Sequence, residues 1–142
     1  AECDGSKEVK TGVMFGQQPR KIFGLSYRTL IGNDSKGEDY GYKIHLIYGA
    51  LATPSEKGYN TVNETPEAMT FSWEITTTPV DVEDFKPTAM LVIETTLTNG
   101  DQIAALEQAL YGVDASAEPV VAEVIPHLPL PDEVIEIMAA EG

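Results

Sequence analysis

The chain has 142 residues and a mass of 15.4 kDa, a length typical of one domain. Apolar residues make up 42% and charged residues 23%, which is close to the globular average and excludes wholesale disorder. The single cysteine, Cys3, excludes an intrachain disulfide and a zinc site of paired cysteines. No apolar run approaches the ~18–20 residues that a membrane-spanning helix needs.

Acidic residues dominate the charge and are unevenly distributed. Twenty-three Asp and Glu against nine Lys and Arg give a net charge of −14. Residues 87–142 hold ten acids and no Lys or Arg, whereas residues 1–86 hold thirteen acids and all nine bases. Such a surface repels phosphate backbones, so nucleic acid is the least favoured class of tightly bound partner. Composition alone leaves two explanations open, a solvated acidic face or a surface that repels polyanions.

Four segments alternate between apolar and polar residues, which is the period of a half-buried strand. They cover residues 22–31, 42–48, 69–78 and 88–97, after a polar segment, 1–21, that we interpret as a loop or edge segment. The side chains predicted to share a core face are Phe23, Leu25, Tyr27, Thr29 and Ile31; Tyr42, Ile44, Leu46 and Tyr48; Met69, Phe71, Trp73 and Ile75; and Ala89, Leu91, Ile93 and Thr95.

The connections between these strands are long and polar. Residues 32–41 and 50–66 are rich in turn-forming and hydroxyl side chains, and residues 80–87 form an acidic turn. Pro79 ends the third strand because proline cannot continue a central strand.

One helix is predicted after the last strand. It begins near the capping residue Asn99 and ends at Gly112. Its apolar residues recur at helical spacing and are Ile103, Leu106 and Leu110.

The C-terminal part of the chain has no such period. Residues 113–131 are rich in Ala, Pro and Val, and the stretch from Leu128 to Pro131 favours an extended backbone. Residues from Pro131 onward fit either a last short helix or an arm. In the second case, residues 113–142 form an acidic C-terminal arm. The whole pattern predicts a single, mainly β domain over residues 1–142, a β-sandwich or small barrel flanked by one α-helix.

Residue types that carry out catalysis are sparse. His45 lies in the middle of the second strand, His127 lies among prolines, and neither has metal-ligand spacing to another histidine. We therefore expect a structural role for His45. Cys3 lies in a terminal segment without an adjacent histidine, so it is not a candidate nucleophile.

Acidic clusters and short motifs also give no defined site. Asp81, Glu83 and Asp84 could bind calcium weakly, but they lack the spacing and the glycine of a calcium loop, and a solvated turn is the better interpretation. No phosphate-binding loop and no nucleophile elbow is present. Asn33 and Asn63 begin glycosylation sequons, which matter only in a secreted eukaryotic protein. We predict no enzyme and no catalytic, metal or cofactor site.

Several strings of residues, taken in order, resemble the major tail protein of bacteriophages with long, non-contractile tails. The resemblance covers most of the chain from about Arg20 onward. The strings are Phe23-Gly-Leu-Ser-Tyr-Arg-Thr-Leu-Ile-Gly-Asn-Asp34, Gly41-Tyr-Lys-Ile-His-Leu-Ile-Tyr-Gly49, Thr70-Phe-Ser-Trp-Glu-Ile-Thr-Thr-Thr-Pro79, Lys86-Pro-Thr-Ala89, Leu110-Tyr-Gly112 and Leu128-Pro-Leu-Pro-Asp-Glu-Val134.

The resemblance implies a structural virion protein of tail-tube fold. Such subunits form hexameric rings that stack into a hollow tube, which conducts DNA from the capsid to the host. A lumen lined with acids would repel the phosphate backbone, which favours the second explanation of the charge. The implied partners are further copies of the chain and neighbouring tail proteins such as the tape measure, tail terminator and distal tail proteins. DNA would pass without specific binding, no membrane is involved, and assembly would take place in the bacterial cytoplasm. The family usually has a further N-terminal segment.

The long connections gain a role from this resemblance. Residues 32–41 and 50–66 exceed what a tight hairpin requires, and we expect them to contact neighbouring subunits. Deleting residues 50–66 should then leave a folded monomer and abolish tubes.

The main alternative is a monomeric β-sandwich module that binds carbohydrate or protein, with a carboxylate-dependent hydrolase as a third reading. Sugar-binding modules use exposed aromatic rings. The candidates are Tyr40, Tyr42, Tyr48 and Tyr59, although Tyr42 and Tyr48 lie on the predicted core face.

Overall fold

A computed structural model describes residue 3 and residues 5–33, 37–54, 72–117 and 120–140. Within this part, eight strands and two helices follow one another along the chain. The strands are β1 (Lys7–Lys10), β2 (Val13–Phe15), β3 (Phe23–Asn33), β4 (Gly37–Pro54), β5 (Trp73–Thr77), β6 (Met90–Glu94), β7 (Ser116–Ala117) and β8 (Val120–Val121), and the helices are α1 (Gly100–Tyr111) and α2 (Pro131–Ala139). The predicted mainly β class is therefore confirmed.

The chain divides into two compact units. The smaller unit comprises residues 1–23 and 49–78, and the larger unit comprises residues 24–48 and 79–142. In the described part of the smaller unit, β1 pairs with β2, and the end of β4 pairs with β5. The larger unit contains the rest of β4 paired with β6, together with both helices.

Strand β4 is the common partner in the four-stranded sheet, which has the order β3-β4-β5 with β6 also paired to β4. Lys43–Ile47 runs antiparallel to β6, with Ile44 opposite Ile93 and Leu46 opposite Leu91. Ala50–Pro54 runs antiparallel to β5. The sheet is open, which agrees with a sandwich plus packed helices and not with the closed barrel.

The core of the larger unit lies between one face of the sheet and the two helices. Alternate residues of β4 are buried, as the sequence predicts, and Ile44 and Leu46 are fully inaccessible. The buried cluster consists of Ile44, Leu46, Tyr48, Ile93, Ile103, Leu106 and Val134. The sheet and the helices thus bury one another's apolar faces, and neither layer needs to be stable alone.

Helix α1 begins and ends at the capping residues that the sequence indicates. The Asn99 side chain accepts a hydrogen bond from the backbone N–H of Asp101, at 3.0 Å. Gly112 ends the helix at a φ of 77°, and its N–H donates to the carbonyl of Gln108. The last segment, for which helix and arm were both open, forms α2, so two helices and not one accompany the sheet.

Two short pairs of strands lie outside the four predicted strands. Residues 7–15, interpreted as a loop or edge segment, form β1 and β2 around a tight turn at Gly12, whose φ is 81°. In the segment without periodicity, Ser116–Ala117 and Val120–Val121 form the paired strands β7 and β8. Strands of two to four residues are too short to show a period, which is why the sequence pattern misses them.

Parts of both predicted long connections belong to strands. Of residues 32–41, the first two belong to β3 and the last five to β4, and residues 34–36 lie outside the described residues. Of residues 50–66, the first five belong to β4, and the remainder lies outside the described residues. Ala50 and Ala52 are buried, so deleting residues 50–66 would remove paired strand and not only a loop. The deletion would therefore also remove the partner of β5, and the expectation that it leaves a folded monomer stays a prediction.

The third predicted strand is paired but not half-buried. Residues 73–77 form β5, whereas residues 69–71 lie outside the described residues. All five side chains of β5 are exposed, including Trp73 and Ile75 at 46% and 45%. The predicted core face of this strand is thus not covered by the described part of the chain.

Replacing Tyr48 with phenylalanine is expected to lower the free energy of unfolding by about 1–2 kcal/mol. The buried Tyr48 hydroxyl donates to the carbonyl oxygen of Pro129 at 2.9 Å, and the substitution leaves that acceptor without its donor. Burial, with a contribution from the charge of Glu133, raises the pKa of Tyr48 to about 12, so the hydroxyl remains a donor at neutral pH. Urea denaturation measures the loss. Tyr111→Phe, on a side chain that is 55% exposed, is the matched control, and equal losses in the two variants would contradict the assignment.

Candidate functional site

His45 is packed against strand β3. Its ring stacks on Tyr27 with a centroid distance of 4.5 Å and an interplanar angle of 1°. The Nε2 atom lies 2.9 Å from Oγ1 of Thr29, whereas the buried Nδ1 atom has no hydrogen-bond partner among the described residues. These contacts pack the imidazole against two side chains of β3. We therefore still interpret the role of His45 as structural.

His127 connects the segment before α2 to the first turn of that helix. Its Nδ1 atom lies 3.1 Å from the carbonyl oxygen of Ile125, and its Nε2 atom lies 2.9 Å from Oε1 of Glu133. Both neighbours are acceptors, and an imidazole can donate to both only when it is protonated. The hydrogen bond to Glu133, followed by that to Ile125, raises the pKa of His127 above its usual value of 6.5.

The stability of the protein should therefore decrease as the pH rises through the pKa of folded His127. A raised pKa means that the folded chain binds this proton more tightly than the unfolded chain, so the stabilisation is complete below about pH 6.5 and is lost above the folded-state pKa. We expect urea denaturation across about pH 5–8 to show a decline that His127→Gln reduces. The difference between the two proteins isolates His127 from the other titrating groups. Identical pH profiles would contradict the pairing with Glu133.

The acidic turn is held by a backbone contact. The N–H of Glu83 donates to Oδ1 of Asp132 at 2.9 Å, which links the turn to α2. Asp84 occupies the left-handed region with a φ of 62°. Neither here nor elsewhere among the described residues do three or more His, Cys, Asp or Glu side chains converge as metal ligands. Cys3 is exposed and has a free thiol.

The four candidate tyrosines do not form one exposed platform. Tyr48 is 2% exposed and belongs to the core. Tyr42 is partly buried against the same core, and Tyr40 is 37% exposed. Tyr59 lies outside the described residues.

A charged cluster that the sequence pattern did not predict fixes α1 to the sheet. The hydroxyl of Tyr42 donates to Oε1 of Glu107 at 2.7 Å, and Nη1 of Arg28 lies 3.5 Å from the same oxygen. The Arg28 guanidinium also lies 5.2 Å from the ring centroid of Tyr42 and 5.8 Å from that of Tyr111. The hydrogen bond to Glu107 raises the pKa of Tyr42. Arg28 thus contacts α1 and β4 at once, although Arg28 and Glu107 are 79 residues apart in sequence.

Strand β3 forms an open edge of the sheet in the described part of the chain. Strand β3 has eleven residues, and among the described strands it pairs only with β4. It exposes apolar side chains, with Leu30 at 75% and Tyr27 at 45%. A long edge with free backbone groups can pair with a strand of another chain.

An apolar pocket of about 500 Å³ lies in the larger unit, between the acidic turn, β6 and α2. Phe85 and Met90, which help to line it, are 72% and 53% exposed, so its wall is open to solvent. The pocket is also lined by Val82, Lys86, Leu91 and Ile135.

The helices of the described residues are too short and polar to cross a membrane. No protein-family model matches the chain, and neither a curated protein nor a solved structure matches it with statistical significance.

Proposed function

We propose that the chain is a structural subunit of a phage tail tube, which self-assembles into stacked rings around a channel for DNA. The observation that carries the proposal is the ordered set of residue strings that resemble major tail proteins. Five of the six strings overlap β3, β4, β5, the end of α1 and the start of α2, and the sixth, Lys86–Ala89, directly precedes β6. The proposed location is the virion tail, after assembly in the bacterial cytoplasm.

The open sheet edge supports the proposal of self-assembly. An isolated sheet with an exposed apolar edge tends to associate, and natural proteins cover such edges or use them as interfaces. Strand β3 offers eleven residues of edge, and its apolar side chains would be buried by a neighbouring copy.

The charge distribution supports the proposal of a DNA channel. Residues 87–142, which include both helices, carry ten acids and no Lys or Arg. An acidic wall repels the phosphate backbone, so DNA can slide along it without binding. The proposed neighbours are other copies of the chain and the tape measure, tail terminator and distal tail proteins.

Negative-stain electron microscopy and sedimentation velocity over increasing protein concentration test the proposal. Rings or hollow tubes are the expected result, whereas a monomer that binds glycans saturably would favour the binding-module alternative.

A matched pair of variants tests the role of the edge. Leu30→Lys places a charge on β3, and Leu97→Lys places the same charge on a side chain that is 83% exposed beyond β6. We expect the first variant to assemble several-fold less than the wild type and the second to assemble normally, with unchanged circular dichroism in both. Equal assembly of the two variants would contradict the role of the edge.

A further inference from the structure

The hairpin of β1 and β2 has two chemically different faces. Side chains directly opposite each other in an antiparallel pair share a face, as do alternate residues of one strand. Lys7 lies opposite Phe15, and Lys10 lies opposite Val13. Val13 and Phe15 are two residues apart and share a face, whereas Met14 and its partner Glu8 lie on the other. Lys7 and Lys10 are three residues apart, but the pairing shifts register between Glu8 and Lys10, so both lysines lie opposite residues of the face of Val13 and Phe15.

The face with Val13 and Phe15 is both apolar and basic, and it is exposed. Val13 is 49% and Phe15 is 55% exposed, and both lysines are exposed. A hairpin face that presents two apolar side chains opposite two lysines fits an apolar surface with acids nearby.

The pocket of the larger unit has the complementary character. Its wall contains the apolar side chains of Val82, Phe85, Met90 and Ile135, with Lys86 as its one basic residue. Exposed acids adjoin these residues in the sequence, both on the turn and on α2. They are Asp81, Glu83, Asp84, Asp132 and Glu136.

We infer that the β1–β2 hairpin of one copy docks into this pocket of a second copy, with Val13 and Phe15 in the pocket and the two lysines near the acids of the turn and of α2. The inference rests on the proposed self-assembly and names the contact. The two surfaces differ, so the interface is heterologous, and repetition of such an interface produces a ring if the rotation closes and a filament if it does not. The electrostatic part of the contact weakens as salt screens it.

Cysteine cross-linking between two single variants tests the contact, in a Cys3→Ser background that removes the native thiol. Val13→Cys protein is mixed with Ile135→Cys protein at an assembling concentration and is oxidised, and the disulfide-linked dimer is measured on a non-reducing gel. The control replaces Val13→Cys with Met14→Cys, which lies on the opposite face of the hairpin and is 57% exposed. We expect several-fold more dimer from Val13→Cys than from Met14→Cys.

The outcomes separate this inference from the proposed function. If rings or tubes form but the two hairpin positions cross-link equally or not at all, the docking is wrong while the tail-tube proposal stands. If Val13→Cys cross-links selectively but only dimers form, the result supports the docking contact and contradicts the tail-tube proposal. A disulfide that forms within a Val13→Cys/Ile135→Cys double variant but not between single variants would place the hairpin in the pocket of its own chain and overturn the inference. Absence of any association would overturn both proposals.

Charge reversal gives a second, independent measurement. The double variant Lys7→Glu/Lys10→Glu should associate several-fold less than the wild type in sedimentation velocity at low salt, and the difference should shrink at high salt. Glu136→Lys protein, whose substitution lies on the exposed face of α2, should recover part of the association when it is mixed with that double variant. Wild-type association of Lys7→Glu/Lys10→Glu would contradict the basic contribution of the hairpin.

Discussion

Replacing Leu106 with alanine is expected to lower the free energy of unfolding by about 2–5 kcal/mol. Leu106 is fully buried, and it belongs to the cluster in which α1 packs on Ile44, Leu46 and Ile93 of the sheet. Truncation removes apolar contacts and leaves a cavity that the surrounding side chains fill only partly. Helix α1 has 12 residues and depends on this contact, because an isolated helix of that length is marginal in water.

A loss of this size is a large part of the stability of one domain, which is typically about 5–15 kcal/mol. Urea denaturation followed by circular dichroism and by tryptophan fluorescence measures it. Leu97→Ala is the control, because Leu97 is 83% exposed, and it should change the free energy by less than about 0.5 kcal/mol. If Leu106→Ala were as stable as Leu97→Ala, α1 would not pack on the sheet as described.

The strands at the centre of the core could be predicted from the sequence because burial imposes their period. Ile44, Leu46 and Tyr48 alternate in the sequence and are buried in the structure, and Ile44 and Leu46 lie opposite Ile93 and Leu91 of β6, which show the same alternation. The cap of α1 could be predicted for a similar reason, since Asn99 satisfies a free N–H of the first turn through local geometry alone. These are cases in which one short stretch of chain determines its own conformation.

The contacts that fix α1 and α2 could not be predicted in this way. Arg28 contacts Glu107, and Tyr48 donates to the carbonyl of Pro129, only because the helices pack on the sheet in one orientation. The sequence separations are 79 and 81 residues, and no local pattern specifies such pairs. The pocket and the hairpin face were missed for the same reason, since each brings together residues from separate elements or from strands too short to show a period.

Strand β5 exposes apolar side chains that the proposed assembly would bury. Its sequence alternates as a half-buried strand does, and yet Trp73 and Ile75 are almost half exposed in the described part of the chain. Val13 and Phe15 on the β1–β2 hairpin are likewise about half exposed. Large apolar side chains that recur on one face without a cover are typical of surfaces that become buried in an assembly.

Replacing Gly49 with alanine is expected to lower the free energy of unfolding by at least about 2 kcal/mol. Gly49 has a φ of 58°, a conformation that L side chains rarely adopt. An added Cβ would also clash with the carbonyl oxygen of Thr78 and lie 3.0 Å from its carbonyl carbon, both of which are backbone atoms. Relief of that clash requires the two backbones to separate, which breaks the hydrogen bond from the N–H of Thr78 to the carbonyl of Gly49, now 2.9 Å long.

The position of Gly49 in β4 explains why the strand needs this conformation. Up to Ile47 the strand pairs with β6, and from Ala50 onward it pairs with β5, so the change of partner falls between these residues. We expect Gly49→Ala to unfold at lower urea and to exchange the amide proton of Thr78 faster than the wild type in NMR hydrogen exchange. Gly100→Ala is the control, because nothing lies within 4 Å of its added Cβ and alanine favours the helix it begins, so its stability should be equal to that of the wild type or higher. Equal stability of the two variants would contradict the prediction. It would mean that β4 does not need the left-handed conformation at Gly49, and that β5 does not pair with the end of β4 as described.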